Sequence, residues 1–310
     1  MSVHLIYDPI YLKHDTGVHP ENAGRLEAIL HFVDNDEELS KKLVRNAPRP
    51  ASDEDITRCH REDMIEHIRL ACEHGEKYLD VDTRISPESF EVARLAAGAA
   101  LVAVDVAMAN DGGRAFALVR PPGHHARITT AMGFCLFNNA AIAARYAQAK
   151  HGVERVLIID WDVHHGNGTQ EIFWTDPSVF YFSTHQYPFY PGTGSRDERG
   201  GGKGEGFTLN VPLPARTSAY DHRQAFTDAL HEIQRRFVPD LTIVSAGFDS
   251  RRGDLLGGLM LEDSDFSEMT KEVLRIVEKH GAGRLAALLE GGYNLNLLGG
   301  SVRSHLAALI

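Results

Sequence analysis

The sequence predicts a single α/β domain in which a central parallel β-sheet is flanked by helices. Short apolar runs recur at residues 4–7, 115–119, 156–159, 179–182, 241–244 and 285–289. Longer amphipathic segments alternate with these runs, and a polar or glycine-rich turn follows each run. Strands that are apolar on both faces and alternate with helices are typical of buried parallel sheets. The 310 residues, 43% of them hydrophobic, can form one large core, so we expect one domain over residues 1–310.

Helices are predicted between the strands, most clearly at residues 87–110, 139–150, 219–237 and 264–280. The first has the best-marked boundaries, because Ser86 can cap it and Pro87 suits its first turn. The sequence Asp111-Gly112-Gly113 would end this helix. Gly152 and Gly281 would end the helices at 139–150 and 264–280.

The charge and the cysteine content argue against several classes of protein. The chain has 32 basic and 43 acidic residues, a net charge of −11, which disfavours direct binding to nucleic acid. Its 3 cysteines match neither a zinc finger nor a disulfide framework. No signal peptide is recognisable, and no apolar stretch reaches the roughly 18 residues of a membrane span. We therefore expect a soluble cytoplasmic protein, and the composition leaves formation of a homo-oligomer open.

Polar clusters follow four of the predicted strands. They contain His124 and His125, then Asp160, Asp162 and His164, then Asp249, and finally Tyr293. The carboxyl ends of parallel strands meet at one edge of a sheet, where ligands of such folds bind. We therefore expect these side chains to converge.

Asp162, His164 and Asp249 form a candidate metal site. Asp162 and His164 are two residues apart, so in extended backbone their side chains point the same way. Two carboxylates and one imidazole leave positions open for water and substrate, as a catalytic Zn²⁺ requires, and they also suit Fe²⁺. An Asp-x-His pair alone is as often structural as functional, and Asp249 at a second strand end favours the metal.

His124, His125 and Tyr293 are candidate catalytic residues. Hydrolysis of an amide needs a base for water and an acid for the leaving amine, and histidine can serve as either. A single buried histidine is usually structural, but two adjacent ones after Pro-Pro-Gly are hard to explain by packing. Tyr293 follows two glycines, and its hydroxyl could donate a hydrogen bond to an oxyanion.

Together, the motifs RPPGHHA, GFCLFNN, DWDVHHGNGTQ, YPGTG, SAGFDS and EGGYN resemble the histone deacetylase family, in particular its bacterial class II-like amidohydrolases. The segment HPENAGRLEAI resembles the first-helix region of that family. These motifs occur in family order over essentially the whole chain. The resemblance implies the arginase/deacetylase fold and an enzyme that removes an acetyl or related acyl group from an amine.

The resemblance also implies roles for individual residues. Asp162, His164 and Asp249 would hold the metal. His125 would be the general base and then the acid, His124 would be its electrostatic partner oriented by Asp160, and Tyr293 would donate to the carbonyl oxygen. The substrate would be contacted by a set at the acyl channel and its mouth: Gly133, Phe134, Tyr190, Asp82 and Leu256. The residues that match the family's site for a structural K⁺ or Na⁺ ion are Asp160, Asp162, His164, Ser183 and Thr184.

One departure concerns Asn167, which stands where many class I members have aspartate. Its amide oxygen can accept a hydrogen bond from His125, but it supplies no charge that would raise the pKa of that histidine.

Three other functions are alternatives to that of a peptide deacetylase. An arginase-like enzyme would need a second metal, and Gly166 and Arg251 stand where further carboxylates would be required. An acetylpolyamine amidohydrolase remains open, although polyamine-selective relatives carry glutamate where this chain has Leu256. A non-catalytic acyl-lysine binding protein is disfavoured, because every expected catalytic residue is present.

Overall fold

The computed structural model describes residues 3–109, 113–280 and 283–310, and its central feature is one sheet whose strands are all parallel to their neighbours. The strands are β1 (Val3–Ile6), β2 (Leu43–Asn46), β3 (Arg114–Ala117), β4 (Val156–Asp160), β5 (Val179–Gln186), β6 (Thr208–Leu213), β7 (Leu241–Ala246) and β8 (Leu285–Leu289). Their order across the sheet is β2-β1-β3-β8-β7-β4-β5-β6. The predicted single α/β domain with a central parallel sheet is confirmed.

All the predicted strands match observed ones, but β2 and β6 were missed. These are the two edge strands of the sheet. In β2 the residues after Leu43 are partly or fully exposed, and β6 alternates between buried and half-buried positions. Neither strand therefore has the continuous apolar run by which the central strands were recognised.

Helices flank the sheet and connect its strands. They are α1 (Gly24–Asn35), α2 (Glu37–Ser40), α3 (Asp53–Thr57), α4 (Glu62–Glu73), α5 (Ser89–Ala107), α6 (Asn139–His151), α7 (Asn167–Phe173), α8 (Ala219–Gln234), α9 (Asp263–His280) and α10 (Leu295–Leu309). Helix α5 packs on β3 and β8 and against α6, whereas α10 packs between α1 and α9. No helix in the described ranges is long and apolar enough to cross a membrane.

The predicted start of the helix at 87–110 was wrong. Helix α5 begins at Ser89, and the residue before it, Glu88, makes no side-chain cap. The main-chain N–H of Ser86 donates to Oγ of Ser89 (2.7 Å), so Ser86 belongs to the preceding turn. Gly152 ends α6 in a left-handed conformation (φ 65°), as expected. Residues 111–112 and Gly281, the other predicted stops, lie outside the described residues.

The strand order explains how the polar clusters meet. The strands that precede them, β3, β8, β7 and β4, are consecutive neighbours in the middle of the sheet. Asp160 is the last residue of β4 and lies in register with Ser183 of β5 and Ser245 of β7. The carboxyl edge of four central strands therefore carries the candidate site.

Candidate metal centre and catalytic site

Asp162, His164 and Asp249 come together at the carboxyl edge of β4 and β7. One ligand atom from each lies within 4.8 Å of the others, and all three residues are buried. Nδ1 of His164 is 3.0 Å from Oδ1 of Asp162 and 3.3 Å from Oδ2 of Asp249. The structure thus places the three sequence-predicted ligands as one cluster.

The cluster has the properties of a cation site. Within the described part of the chain, Oδ2 of Asp249 is buried and accepts no hydrogen bond of good geometry. Burial and the neighbouring Asp162 raise the pKa of Asp249 to about 7. A Cβ on Gly291 would lie 2.1 Å from the same Oδ2, so glycine is required beside it. A divalent ion would satisfy the free oxygen and offset the repulsion between the two carboxylates.

The rest of each carboxylate is fixed by main-chain groups. Oδ1 of Asp249 accepts from the N–H of Val163 (2.8 Å), and Oδ2 of Asp162 accepts from the N–H of Gly291 (2.8 Å). The second contact ties the loop after β8 to the end of β4. The main chain of the loops that follow β4 and β8 therefore holds the two carboxylates in place.

The two adjacent histidines have different partners. Nδ1 of His124 lies 3.0 Å from Asp160, whereas Nδ1 of His125 lies 2.8 Å from the amide oxygen of Asn167. Burial opposes protonation of His124, but Asp160 and Asp162 outweigh it and raise its pKa to about 10. Burial, with His124 and His164 nearby, holds the pKa of His125 well below its usual value. Because the amide oxygen of Asn167 can only accept, Nδ1 of His125 carries the proton and Nε2 is left as the acceptor.

Glu290 anchors the histidine loop, a role that the sequence pattern did not indicate. Its Oε2 accepts from the N–H groups of Gly123 (2.7 Å) and His124 (3.2 Å), and its Oε1 accepts from Oγ of Ser245 (3.1 Å). Burial raises the pKa of Glu290 to about 7. This carboxylate connects the ends of β3, β7 and β8.

A buried ion network behind the site was also missed. Arg25 and Arg120 are both fully buried and share the carboxylate of Glu21, with contacts of 3.1 and 2.5 Å. Arg25 also donates to the carbonyl oxygen of Gly292 (2.7 Å), and its guanidinium lies 4.9 Å from the centre of the Tyr293 ring. These residues belong to the motifs HPENAGR and RPPG, but the contact between Glu21 and Arg120 joins residues that are 99 positions apart in sequence.

Tyr293 is buried in a turn that Asp254 holds. Oδ2 of Asp254 accepts from the N–H of Tyr293 (2.7 Å), and Oδ1 accepts from the N–H of Leu256 (2.9 Å). Burial raises the pKa of the Tyr293 hydroxyl well above its usual value, so it is a donor at neutral pH. The ring lies edge-on to Phe134, with 5.8 Å between centroids.

A cavity of about 480 Å³ opens above the cluster. Its lining includes the sequence-predicted residues His125, Gly133, Phe134, His164, Tyr190, Tyr293, Asp82 and Leu256. It also includes Phe189, which stacks on the His164 ring (5.4 Å between centroids), and Leu255, neither of which was predicted. Gly133 has φ 58°, and a Cβ there would lie 2.5 Å from the His125 ring, so only glycine allows this approach.

Of the predicted residues for a monovalent ion, Asp160 ends β4, Asp162 and His164 belong to the metal cluster, and Ser183 and Thr184 lie within β5. The N–H of Asp162 donates to Oδ1 of Asp160 (3.2 Å). Oγ of Ser183 is 2.8 Å from Nδ1 of His185, and Oγ1 of Thr184 is 3.2 Å from Nε2 of His222. The two hydroxyls therefore already have protein partners, and this site remains a prediction.

The fold and the site define a class of protein: an α/β enzyme whose reaction centre, at the carboxyl edge of a parallel sheet, combines a candidate metal cluster with paired histidines and a tyrosine. A family model described as the histone deacetylase domain matches residues 19–309. The chain belongs to the histone deacetylase family, whose members are metal-dependent deacetylases and amidohydrolases.

Individual relatives agree with this assignment. A probable deacetylase of Archaeoglobus fulgidus is 38% identical over 297 residues, which cover 95% of this chain and 82% of that protein. A histone deacetylase-like amidohydrolase of Pseudomonas aeruginosa is 41% identical over 277 residues, or 89% of this chain and 72% of the relative. The crystal structure of the HDA15 HD domain matches with a TM-score of 0.94 and 37% identity, covering 99% of this chain and 89% of that one.

Proposed function

We propose that the protein hydrolyses the amide of acetyl-lysine, or of a related acyl-lysine, in peptides or proteins. One observation carries this proposal: His164 of the ligand cluster, His125 and Tyr293 all open onto the same cavity of about 480 Å³. A ligand, a base and an oxyanion donor around one space are what hydrolysis of a bound amide requires.

The cofactor we propose is one Zn²⁺ ion held by Asp162, His164 and Asp249. Two carboxylates and one imidazole also suit Fe²⁺, so the metal content decides between them. A second transition metal is disfavoured, because position 166 is glycine and Arg251 is paired with Asp263 (2.8 Å). When bound, the ion would polarise the acyl carbonyl and activate water.

The protein's own groups would handle the protons. Nε2 of His125, the free acceptor, would take the proton of the attacking water and later deliver it to the leaving amine. His124, fixed by Asp160, would stabilise the charge that develops nearby. The Tyr293 hydroxyl would donate to the oxygen of the former carbonyl as negative charge builds on it.

The walls of the cavity favour an aliphatic stem. Phe134, Tyr190 and Leu256 all line the cavity, with the Tyr190 ring edge-on to His125 and the Phe134 ring edge-on to Tyr293. A leucine at this position leaves the ammonium groups of an acetylpolyamine without a partner, whereas it can contact a lysine stem. Asp82, also on the lining, would accept from the main-chain N–H of a peptide substrate. Acetylpolyamine hydrolysis is the second candidate, favoured only by the general acidity of the chain.

Two further components belong to the proposal. Asp160, Asp162, His164, Ser183 and Thr184 would surround a structural K⁺ or Na⁺ ion. A reducing, cytoplasmic location is supported by Cys59, Cys72 and Cys135, which are all buried and unbridged.

A substrate panel tests the function. Purified protein is incubated with acetyl-lysine and longer acyl-lysine peptides and, in parallel, with acetylated putrescine and spermidine. We expect kcat/KM to be higher for a peptide than for either polyamine. A tenfold preference for a polyamine would overturn the proposed substrate, and binding of acyl-lysine without any turnover would indicate a non-catalytic binder.

A further inference from the structure

Three aliphatic side chains are strongly exposed beside the mouth of the cavity. The relative exposures of Val18, Val81 and Leu255 are 101%, 94% and 67%. Leu255 lines the cavity itself, and Val81 directly precedes Asp82, which lies on another loop of the lining. Exposed aliphatic groups that cluster at a cavity, without a structural role in the chain, are typical of a contact surface.

Val18 is linked to the same cavity by the contacts of the next residue, His19. The ring of His19 packs edge-on against Phe134, with 4.6 Å between centroids, and its Nε2 donates to the carbonyl oxygen of Asp82 (3.2 Å). The loop that carries Val18 is therefore attached to two residues of the cavity lining.

Hydrogen bonds hold the loops of Val81 and Val18 in one conformation. Oδ1 of Asp80 accepts from the N–H groups of Asp82 (3.0 Å) and Thr83 (2.7 Å), which places Val81 in a closed turn. Oδ1 of Asp15 accepts from the N–H of Gly17 (2.8 Å), immediately before Val18.

The loop of Leu255 is held at both ends. The N–H of Leu256 donates to Asp254 (2.9 Å), and that of Gly258 donates to Oε1 of Gln186 (2.8 Å). An apolar side chain on an ordered loop loses little conformational entropy when a partner covers it. The three loops therefore present preorganised apolar contacts.

We propose that Val18, Val81 and Leu255 form an apolar collar that binds hydrophobic side chains next to the acyl-lysine of a peptide substrate. This inference rests on the proposed function, because the acyl-lysine in the cavity fixes where the flanking chain lies. Neighbouring residues of an extended peptide are spaced at about 3.3 Å, so the residues beside the acyl-lysine must cross the mouth. A small acetylated amine that fits inside the cavity would not reach the collar.

The test uses two acetyl-lysine peptides of equal charge that differ only in carrying leucine or serine on both sides of the modified lysine. The ratio of their kcat/KM values is measured, and so is the ratio of their Kd values with the Tyr293→Phe protein, which is chosen to slow turnover during binding. Covering one or two aliphatic groups predicts a preference of roughly fivefold or more for the leucine peptide in both ratios. Both ratios are independent of the fraction of folded protein.

Matched variants locate the preference. Val18→Ser, Val81→Ser and Leu255→Ser should each lower the ratio, and the triple variant should bring it close to one. Val44→Ser, which alters a valine that is 40% exposed on the edge strand β2, should leave the ratio unchanged.

Each outcome decides for or against the collar. Equal Kd values for the two peptides, or a leucine preference that survives in the triple variant, overturn it. Loss of the preference in the triple variant, with the preference kept in Val44→Ser, supports it. If no peptide is hydrolysed while the Kd ratio behaves as expected, the proposed function fails and the collar stands.

Discussion

Oδ2 of Asp254 lies 2.7 Å from the main-chain nitrogen of Tyr293, and the other oxygen of the same carboxylate holds Leu256. One side chain thus fixes both the loop of the proposed oxyanion donor and the loop at the mouth of the cavity. Hydrogen bonds to a charged group contribute about 1.5–3 kcal/mol each, so their loss would loosen both loops.

Asp254→Ala should therefore lower kcat more than it raises KM, because the Tyr293 hydroxyl loses its position. Asp254→Asn, whose amide oxygen can still accept, should recover part of the loss. Steady-state kinetics with an acetyl-lysine peptide measure both, and Asp228→Ala on the exposed surface of α8 is the control. An unchanged kcat in Asp254→Ala would show that the Tyr293 turn holds its geometry without this carboxylate.

Removal of a metal ligand gives the second prediction. Asp249→Ala should lose both the ion and the hydrolytic activity, while elemental analysis of the parent protein should find one transition metal per chain. The control is Asp240→Ala, at the residue just before the first residue of β7. This variant should keep both the metal ion and the activity. Two transition metals per chain, or full activity of Asp249→Ala, would contradict the proposed centre.

The third prediction separates Tyr293 from the ligands. Tyr293→Phe removes one hydroxyl and should lower kcat by about 10²–10³-fold while leaving the metal content unchanged. A hydroxamate, which chelates the ion directly, should still bind. Tyr220→Phe at an exposed position is the control, and near-normal kcat in Tyr293→Phe would assign the oxyanion donor to another group.

A change at the cavity mouth should alter substrate selectivity. Leu256→Glu places a carboxylate beside the channel, where it would attract the ammonium groups of a polyamine and penalise a neutral peptide chain. The ratio of kcat/KM for acetylspermidine to that for an acetyl-lysine peptide should rise. The control is Leu295→Glu, at a partly exposed leucine in α10, which should leave this ratio unchanged. If Leu256→Glu also leaves the ratio unchanged, Leu256 does not determine substrate specificity.

The fifth prediction concerns acid stability and His60. Burial lowers its pKa from 6.5 to about 4, and its Nε2 accepts from the N–H of Asn138 (2.9 Å), which requires the neutral ring. As pH falls, His60 is therefore protonated in the unfolded chain before it is protonated in the folded protein. Stability from His60 is complete above pH 6.5 and is lost as pH falls toward 4, by at most about 3 kcal/mol.

Denaturant unfolding at several pH values from 7 to 4.5 measures this effect. The free energy of unfolding should fall less steeply with acid in His60→Gln than in the parent protein. His67→Gln, at an exposed site on α4, should have the parental slope. Equal slopes for all three proteins would show that His60 does not contribute to the acid sensitivity.

The sequence was informative wherever function depends on residues close together in the chain. Asp162 and His164 could be paired from their spacing, and the strand ends could be recognised from the apolar runs before them. The role of Glu290 and the pairing of Glu21 with Arg120 could not be predicted, because they depend on which strands and loops become neighbours. The edge strands β2 and β6 were missed for a different reason, since half-exposed strands have no continuous apolar pattern.

The position of β8 has a consequence for how the protein is made. This last strand lies between β3 and β7, so it joins the part of the sheet formed by β1, β2 and β3 to the part formed by β4, β5, β6 and β7. A chain emerging from the ribosome cannot close the sheet until β8 has been synthesised. The candidate centre, which needs Gly291 and Tyr293 after β8, therefore cannot form before this strand and the loop after it have been synthesised, and a shorter nascent chain should be inactive.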